Sequence, residues 1–230
     1  MTKIIAHRGD RGLQLENSTA AIRAATKLPV YAIEFDVHRT RDNHIVVMHD
    51  DTTGRVATQD VRIQDATLAQ LRKLQLKNGQ QIPTLDEALA IVDRRRIFID
   101  IKDTGSAEKI VQVLHTHPQA QASFVSRLPG ELHTIRTLLP DAAIYLYTLK
   151  AQGPRQWIAQ VFTARRLQAT GVGVDKLLIN PVSYLLARYY KLQVYIYPVN
   201  TRRLARLYHI LYPHADFVTG NPEQFVGRNL

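Results

Sequence analysis

Short apolar runs, each followed by a turn and then by a stretch whose apolar positions recur every three or four residues, fill most of the chain. That pattern predicts strand and helix in strict alternation. Eight runs read as strands: Lys3–Gly9, Ala32–His38, Ile97–Lys102, Ser123–Arg127, Ala143–Leu149, Asp175–Asn180, Val194–Asn200 and Asp216–Gly220. His44–His49 adds a further strand directly after the second. Helices are expected over Ser18–Lys27, from Thr84 onward, and over Ala107–His115, Gly130–Leu139, Pro154–Thr170, Ser183–Lys191 and Thr201–Leu211, with a short Glu223–Val226 at the end. Thr84 and Glu87 have the spacing of a capping box, ahead of Leu85, Ala88, Leu89 and Val92 on one helix face.

Eight strand–helix units predict an α/β fold, a (β/α)8 TIM barrel at the low end of its size range, with a doubly wound sheet as the alternative. Residues 50–80 break the alternation and read as a small insertion after the second strand, with one short helix at Leu68–Leu74. No Pro-, Gly- or Ser-rich linker divides the sequence, so residues 1–230 are expected to form a single domain.

In such a barrel the C-terminal ends of the strands carry the chemistry. Period-two alternation puts Glu34 and Asp36 on one face of the second strand, with Ile33, Phe35 and Val37 on the other. It likewise puts Asp100 and Lys102 together, opposite Ile99 and Ile101. A single strand-end carboxylate is adequately explained by an Arg or Lys partner. Three converging ones repel each other and titrate upward unless a cation holds them, and an all-oxygen set suits Mg²⁺ or Ca²⁺. The first strand runs into His7-Arg8-Gly9 and the extra strand into His49-Asp50. An imidazole titrates near neutrality, Arg8 offers a planar donor fork for phosphate, and Lys102 offers a point charge. The remaining histidines have no comparable setting; His115, His117, His209 and His214 read as solvated. A divalent cation, two imidazoles and cationic anchors together describe phosphoryl chemistry, in which one His takes the nucleophile's proton and the other protonates the departing alkoxide.

Composition narrows the setting. The absence of cysteine removes disulfides, thiolate metal sites and cysteine nucleophiles. No apolar run reaches the roughly 18–20 residues of a membrane span, and the start, MTKIIAHRGD, lacks the pattern of a secretory signal, so a cytoplasmic protein is expected. The formal net charge of +10 is unevenly placed: residues 1–149 carry 19 Lys+Arg against 17 Asp+Glu, residues 150–230 carry 11 against 3. A basic half invites anionic partners. No nucleic-acid partner is expected, because no nucleic-acid-binding signature is present. Peripheral contact with an anionic membrane would suit the aromatic-rich stretch 184–191, whose apolar residues equally suit a packed barrel helix.

The motifs His7–Gly9, Glu16–Asn17, Glu34-x-Asp36 and His49-Asp50-Asp51-Thr52, in this order and spacing, resemble those of the glycerophosphodiester phosphodiesterases. The likeness continues through Ile82-Pro83-Thr84-Leu85-Asp86-Glu87 and, more weakly, through Tyr197–Asn200 and Val218–Pro222. It implies a TIM barrel with an insertion after the second strand. It also implies divalent-cation-dependent hydrolysis of a glycerophosphodiester, a small molecule, to glycerol 3-phosphate and an alcohol. By position, the resemblance makes Glu34, Asp36 and Asp100 metal ligands and His7 and His49 the acid/base pair. Arg8, Lys102 and Tyr197 would bind substrate, Glu16 would belong to the metal site or its surroundings, and Asn17 would cap the first helix. The chain departs from the family pattern in having Asp100 for Glu, Tyr197 for Trp, Pro198 for Thr, and Gly220 for an acidic or polar residue. A lysophospholipase D with the same chemistry and a non-catalytic phosphate- or nucleic-acid-binding barrel remain the alternatives. Acid and base are interchangeable at this level, as are water and the substrate's own glycerol hydroxyl as first nucleophile.

Overall fold

The computed structural model describes residues 2–148 and 153–225. Nine strands alternate with helices: β1 (Ile4–His7), α1 (Thr19–Thr26), β2 (Ala32–Arg39), β3 (Ile45–Val47), α2 (Leu68–Leu71), α3 (Leu85–Val92), β4 (Arg96–Ile101), α4 (Ala107–His115), β5 (Gln121–Ser126), α5 (Pro129–Leu138), β6 (Ala143–Thr148), α6 (Gly153–Arg166), β7 (Gly171–Asp175), α7 (Pro181–Tyr189), β8 (Gln193–Tyr197), α8 (Arg202–Leu211) and β9 (Ala215–Thr219). Eight of them pair in parallel, and β1 bonds to both β2 and β9, closing the ring. The ninth, β3, lies outside it, antiparallel to β2. The molecule is a (β/α)8 barrel.

The alternation along each strand divides the core in two. Ile33, Phe35, Val37, Ile99 and Ile101 face outward into the layer between sheet and helices. Inward-facing Ile5, Phe98, Val125, Tyr145, Tyr195 and Val218 fill the barrel. Its aromatic rings interlock, with centroids 5.1 Å apart for Phe98–Tyr145 and 5.8 Å for Tyr145–Tyr195. They plug the barrel and separate the strand-end group of carboxylates from Gln193 and Asp216 near the strand starts. Helix starts follow the expected local signals: Ser18 accepts from Ala21 N–H, and Thr84 and Glu87 close a capping box.

Between β3 and α3 the chain builds a small excursion with its own apolar cluster, including Val56, Ile63, Leu71 and Ile82 against Val46 and Met48. Thr67 and Gln70 form a second capping box there, at the start of the single-turn α2.

Most predicted boundaries lie within three residues of those observed. The exception is the seventh strand, expected at Asp175–Asn180 and found at Gly171–Asp175, so that α6, expected to run to Thr170, ends at Arg166. Gly171-Val172-Gly173-Val174 does not read as a strand because glycine is poor in sheets. Here glycine is required: a Cβ on Gly171 would strike the Gln193 carbonyl oxygen and lie 2.9 Å from the Tyr145 ring, and one on Gly173 would overlap the Tyr195 ring. The two tyrosines occupy the space that β7 side chains would otherwise take. Leu149 and Val226, the ends of two expected elements, lie outside the described residues. Among the described residues no helix is long and apolar enough to cross a membrane.

Gly173→Ala is expected to destabilise the fold by about 1–3 kcal/mol, the usual cost of overpacking a filled core. Because the collision is with a side chain, combining it with Tyr195→Leu should recover part of that loss relative to the sum of the single changes. Gly171→Ala meets backbone and should show no such recovery. Denaturant midpoints of the four variants (Gly173→Ala, Tyr195→Leu, the two combined, and Gly171→Ala) check the ordering.

Candidate active site

The turn that opens the site is set by backbone geometry. β1 ends at His7, and Arg8 and Gly9 both take left-handed conformations, with φ of 59° and 76°. A Cβ on Gly9 would lie 2.6 Å from the Ala21 carbonyl carbon, so only glycine fits against α1. The turn is fastened to β2, since Gly9 N–H donates to the Glu34 carbonyl at 3.0 Å and Arg8 N–H to Glu34 Oε2 at 2.8 Å. Asn17 does not cap α1 in the way the resemblance implied; Ser18, at which the local pattern starts the helix, does. Asn17 instead donates from Nδ2 to Asp36 Oδ2 at 2.8 Å and accepts from Asp36 N–H at 3.3 Å. Its left-handed backbone (φ 56°) turns the amide away from the helix and into the barrel mouth.

Glu34, Asp36 and Asp100 are all buried, and one oxygen from each lies within 4.8 Å of the others. Strand pairing enforces this, because Asp36 on β2 stands directly opposite Asp100 on β4. Cations surround the group: Lys102 Nζ is 2.7 Å from Asp36 Oδ1 and 2.5 Å from Asp100 Oδ2, and Arg8 Nε is 3.3 Å from Asp36 Oδ2. Burial alone would raise the Asp36 carboxyl, but Lys102 and Arg8 hold it far below the ordinary carboxylate range. Glu34 is pushed well upward by burial and by its two anionic neighbours. Asp100 rises to about 6, burial outweighing the ammonium beside it. Two of the three acids thus sit in surroundings that oppose their charge. Asp100 Oδ1 is buried with no hydrogen-bond partner among the described residues. An all-carboxylate donor set with an orphaned oxygen and unrelieved repulsion fits a hard divalent cation.

Glu16 stands apart from this group. Its Oε1 accepts from Arg8 Nη1 at 2.8 Å and from Arg55 Nη2 at 2.5 Å. Arg55, in the excursion, also binds Asp50 Oδ2 at 2.5 Å, and Asp50 Oδ1 lies 2.6 Å from His49 Nδ1. An unbroken ionic chain therefore links Arg8, Glu16, Arg55, Asp50 and His49. A carboxylate at Nδ1 assigns the proton there and leaves Nε2 free to accept. Burial lowers His49 from its ordinary pKa, as it does His7 more strongly, where Arg8 and Arg11 add to the effect. Burial thus disfavours the imidazolium form of both rings, while the Asp50 hydrogen bond works the other way at His49.

A cavity of about 300 Å³ opens above the aromatic plug, lined by His7, Arg8, Glu34, Asp100, Lys102 and Tyr197 among others. Every site residue expected from the sequence thus lies on one face of the barrel, with Glu16 joined to it through Arg8 and His49 through Arg55. The sequence reading missed three contributors. His38 is the next inward position after Glu34 and Asp36, and it is buried, its Nδ1 paired with Asp103 and its Nε2 3.1 Å from the His49 carbonyl oxygen. Extending the period-two pattern by one step would have found it. Arg55 carries no sequence signal, since its partners are distant in the chain. Arg11 lines the cavity, and its side chain lies where a Cβ on Gly220 would be, so a larger residue there would displace the guanidinium. His117, expected to be solvated, is largely covered and lies 2.9 Å from Asp86 in α3.

The hydrogen bond to Asp50 raises the His49 pKa against the lowering effect of burial. Asp50→Asn is therefore expected to move the His49 midpoint further down, so the ring gains its proton only at lower pH. A pH titration of the imidazole carbon-bound proton by NMR checks the direction, and an upward shift would contradict the assignment.

The chain matches the sequence pattern of the glycerophosphoryl diester phosphodiesterase family over residues 7–217. It is 35% identical over 160 residues to a glycerophosphodiester phosphodiesterase of Caldanaerobacter subterraneus subsp. tengcongensis, covering 63% of this chain and 66% of that one. It is 39% identical over 121 residues to human glycerophosphodiester phosphodiesterase 1, covering 48% of this chain and 36% of that one. The matched segment spans less than two thirds of the length of these relatives. A solved structure of an Oleispira antarctica phosphodiesterase in complex with sn-glycerol-3-phosphate superposes with a TM-score of 0.85 over 96% of this chain and 94% of its own, at 23% identity, a likeness of fold. With the sequence match spanning the barrel from His7 to Phe217, the chain belongs to the glycerophosphoryl diester phosphodiesterase family.

Proposed function

We propose that the protein hydrolyses glycerophosphodiesters to glycerol 3-phosphate and an alcohol, with a divalent cation, Mg²⁺ or Ca²⁺, held by Glu34, Asp36 and Asp100. The observation that carries this reading is the buried group of three carboxylates, with His7 3.9 Å from Glu34 and the Asp50–His49 pair lining the adjoining cavity that Lys102 shares. When bound, the cation would neutralise the acids and polarise the phosphodiester. Arg8 and Lys102 add fixed positive charge where phosphate oxygens would gather, and both are largely buried, which strengthens their attraction. Tyr197, ringed by Tyr147 with centroids 5.8 Å apart, offers a flat wall to the glycerol or alcohol carbons.

In the reaction, a hydroxyl oxygen attacks phosphorus and gives its proton to one imidazole; the bond from phosphorus to the alcohol oxygen breaks, and the other imidazole protonates that oxygen. The ring that takes the proton acts as a neutral base, whereas the ring that protonates the departing oxygen enters as imidazolium and leaves neutral, so one proton moves through the pair per turnover. Asp50 opposite Nδ1 would stabilise the imidazolium that forms at His49. Glu16 and Arg55 would hold that pair in place through Arg8, while Asn17 fixes Asp36.

The test is release of glycerol 3-phosphate from glycerophosphoethanolamine with Mg²⁺ or Ca²⁺ supplied. His49→Ala should lower kcat by about 10²–10⁴-fold, the usual worth of an acid/base group, with the fold retained by circular dichroism. Asp100→Asn should weaken Mg²⁺ or Ca²⁺ binding measured by calorimetry in the absence of substrate. Unchanged turnover in the first variant, or unchanged binding in the second, would remove the role proposed for that residue.

A peripheral contact with an anionic membrane has support on the opposite half of the barrel. The stretch 184–191 is divided: Tyr184 and Ala187 are buried, while Leu185 and Tyr189 are exposed, Tyr189 by 78%. Phe162 on α6 and Leu207 and Ile210 on α8 are also exposed, Ile210 by 75%. α6, α7 and α8 contain no acidic residue, and Arg165, Arg166, Arg188, Arg202, Arg203 and Arg206 stand among these apolar side chains. Pairing of this face with a second copy would set arginines against arginines, whereas an anionic lipid surface complements both the charge and the apolar groups. The protein should sediment with phosphatidylglycerol vesicles, less so with phosphatidylcholine vesicles or at high salt, and Tyr189→Glu with Ile210→Glu should abolish the association. Equal sedimentation with both vesicle types, or self-association lost in the same variant, would contradict this partner.

A further inference from the structure

Beside the cavity that holds His7 lies a second and larger one, of about 760 Å³, between the excursion and the loops after β4 and β5. Lys102 and Tyr147 line both, so the two meet at the carboxylate group. His7 belongs to the smaller and His49 to the larger. A phosphodiester centred at the meeting point sends one ester arm into each. The three-carbon glycerol arm, common to every substrate of this type, suits the 300 Å³ space above the aromatic plug. The alcohol, which varies between substrates, would take the larger one.

The larger cavity has a definite electrostatic character. Its three acidic side chains are engaged: Asp50 with His49 and Arg55, Asp103 with His38 and the Arg39 N–H, and Asp51 with Arg62 at 3.8 Å. Arg127 is not engaged. It follows directly on β5, at the active end of the barrel, and among the described residues it makes no hydrogen bond or ion pair. Among the described residues the lining offers one tyrosine, Tyr147, and no Phe or Trp, so it does not form an aromatic cage for a quaternary ammonium.

We propose that Arg127 determines leaving-group specificity by binding an anionic group on the departing alcohol, so that glycerophosphodiesters with a carboxylate-bearing alcohol are the preferred substrates. This rests on the hydrolase reading above and adds the class of alcohol. A guanidinium fork matches a carboxylate in two parallel hydrogen bonds, and among the described residues no acid of the cavity is paired with Arg127. Arg127 touches neither the carboxylate group nor the two imidazoles through any hydrogen bond or ion pair, so its contribution is to binding the alcohol arm and not to the proton transfers.

Glycerophosphoserine and glycerophosphoethanolamine differ by a single carboxylate and provide the test. The wild-type protein is expected to favour the serine diester by about 3–10-fold in kcat/KM, the worth of one partly exposed ion pair with good geometry. The difference should lie mainly in KM and shrink as salt is raised. Arg127→Gln should bring the ratio close to one, Arg127→Lys should restore part of it, and Arg127→Glu should invert it, while turnover of the ethanolamine diester by Arg127→Gln stays near wild type. A ratio unchanged in Arg127→Gln would overturn the proposal while leaving the hydrolase reading intact. Failure of the wild-type protein to release glycerol 3-phosphate from either diester would overturn both.

Discussion

Three carboxylates drawn together away from water are the constraint on which the rest of the barrel mouth depends. Parallel pairing of β2 with β4 sets Asp36 opposite Asp100, and the two-residue period of β2 adds Glu34 on the same inward face. Once the strands pair, the acids cannot separate. The surrounding polar structure answers this repulsion: Lys102 bridges two of the acids, Arg8 approaches the third side, and Asn17 spends its whole amide on Asp36. These contacts still leave Glu34 and Asp100 with raised pKa values and one oxygen of Asp100 without a partner. The residual imbalance is what the divalent cation proposed for this site would relieve.

The same carboxylates organise more distant parts of the molecule. Arg8 is held by Glu16, Glu16 by Arg55, and Arg55 by Asp50, which orients His49. The excursion after β3 therefore serves the site through one side chain, even though its apolar cluster is separate from the barrel core. Its packing places Arg55, and Arg55 joins the two loops that carry the histidines. From the barrel side, His38 bonds the backbone of His49 and pairs with Asp103, so the position of that imidazole is set from two directions.

Much of this was legible along the chain. Alternation of strand and helix was enough to expect a barrel, because each apolar run must bury one face against helices and the other in a shared interior. The inward positions of Glu34, Asp36 and Asp100 followed from the two-residue period. Where local rules failed, a tertiary contact had overridden them. Gly171 and Gly173 look like a turn but are strand residues shaped by the rings of Tyr145 and Tyr195. Asn17 looks like a helix cap but faces the barrel, because its neighbour Ser18 takes the cap. Gly220 has no signal in sequence and leaves the space that the Arg11 side chain occupies.

The sequence by itself determined the alternation of strand and helix, the faces on which the acids lie and the family to which their spacing corresponds, since these depend on periodicity and local order. Closure of the strands into a ring was decided by the pairing of β1 with β9. Only the tertiary structure decided which charges meet. Partners such as Arg55 and Glu16, 39 positions apart, are brought together by the folding of the excursion over the first loop. The same holds for the division of the active face into two cavities and for Arg127 remaining unpaired in one of them. Coulombic interactions depend on distance through space, which a one-dimensional pattern does not contain.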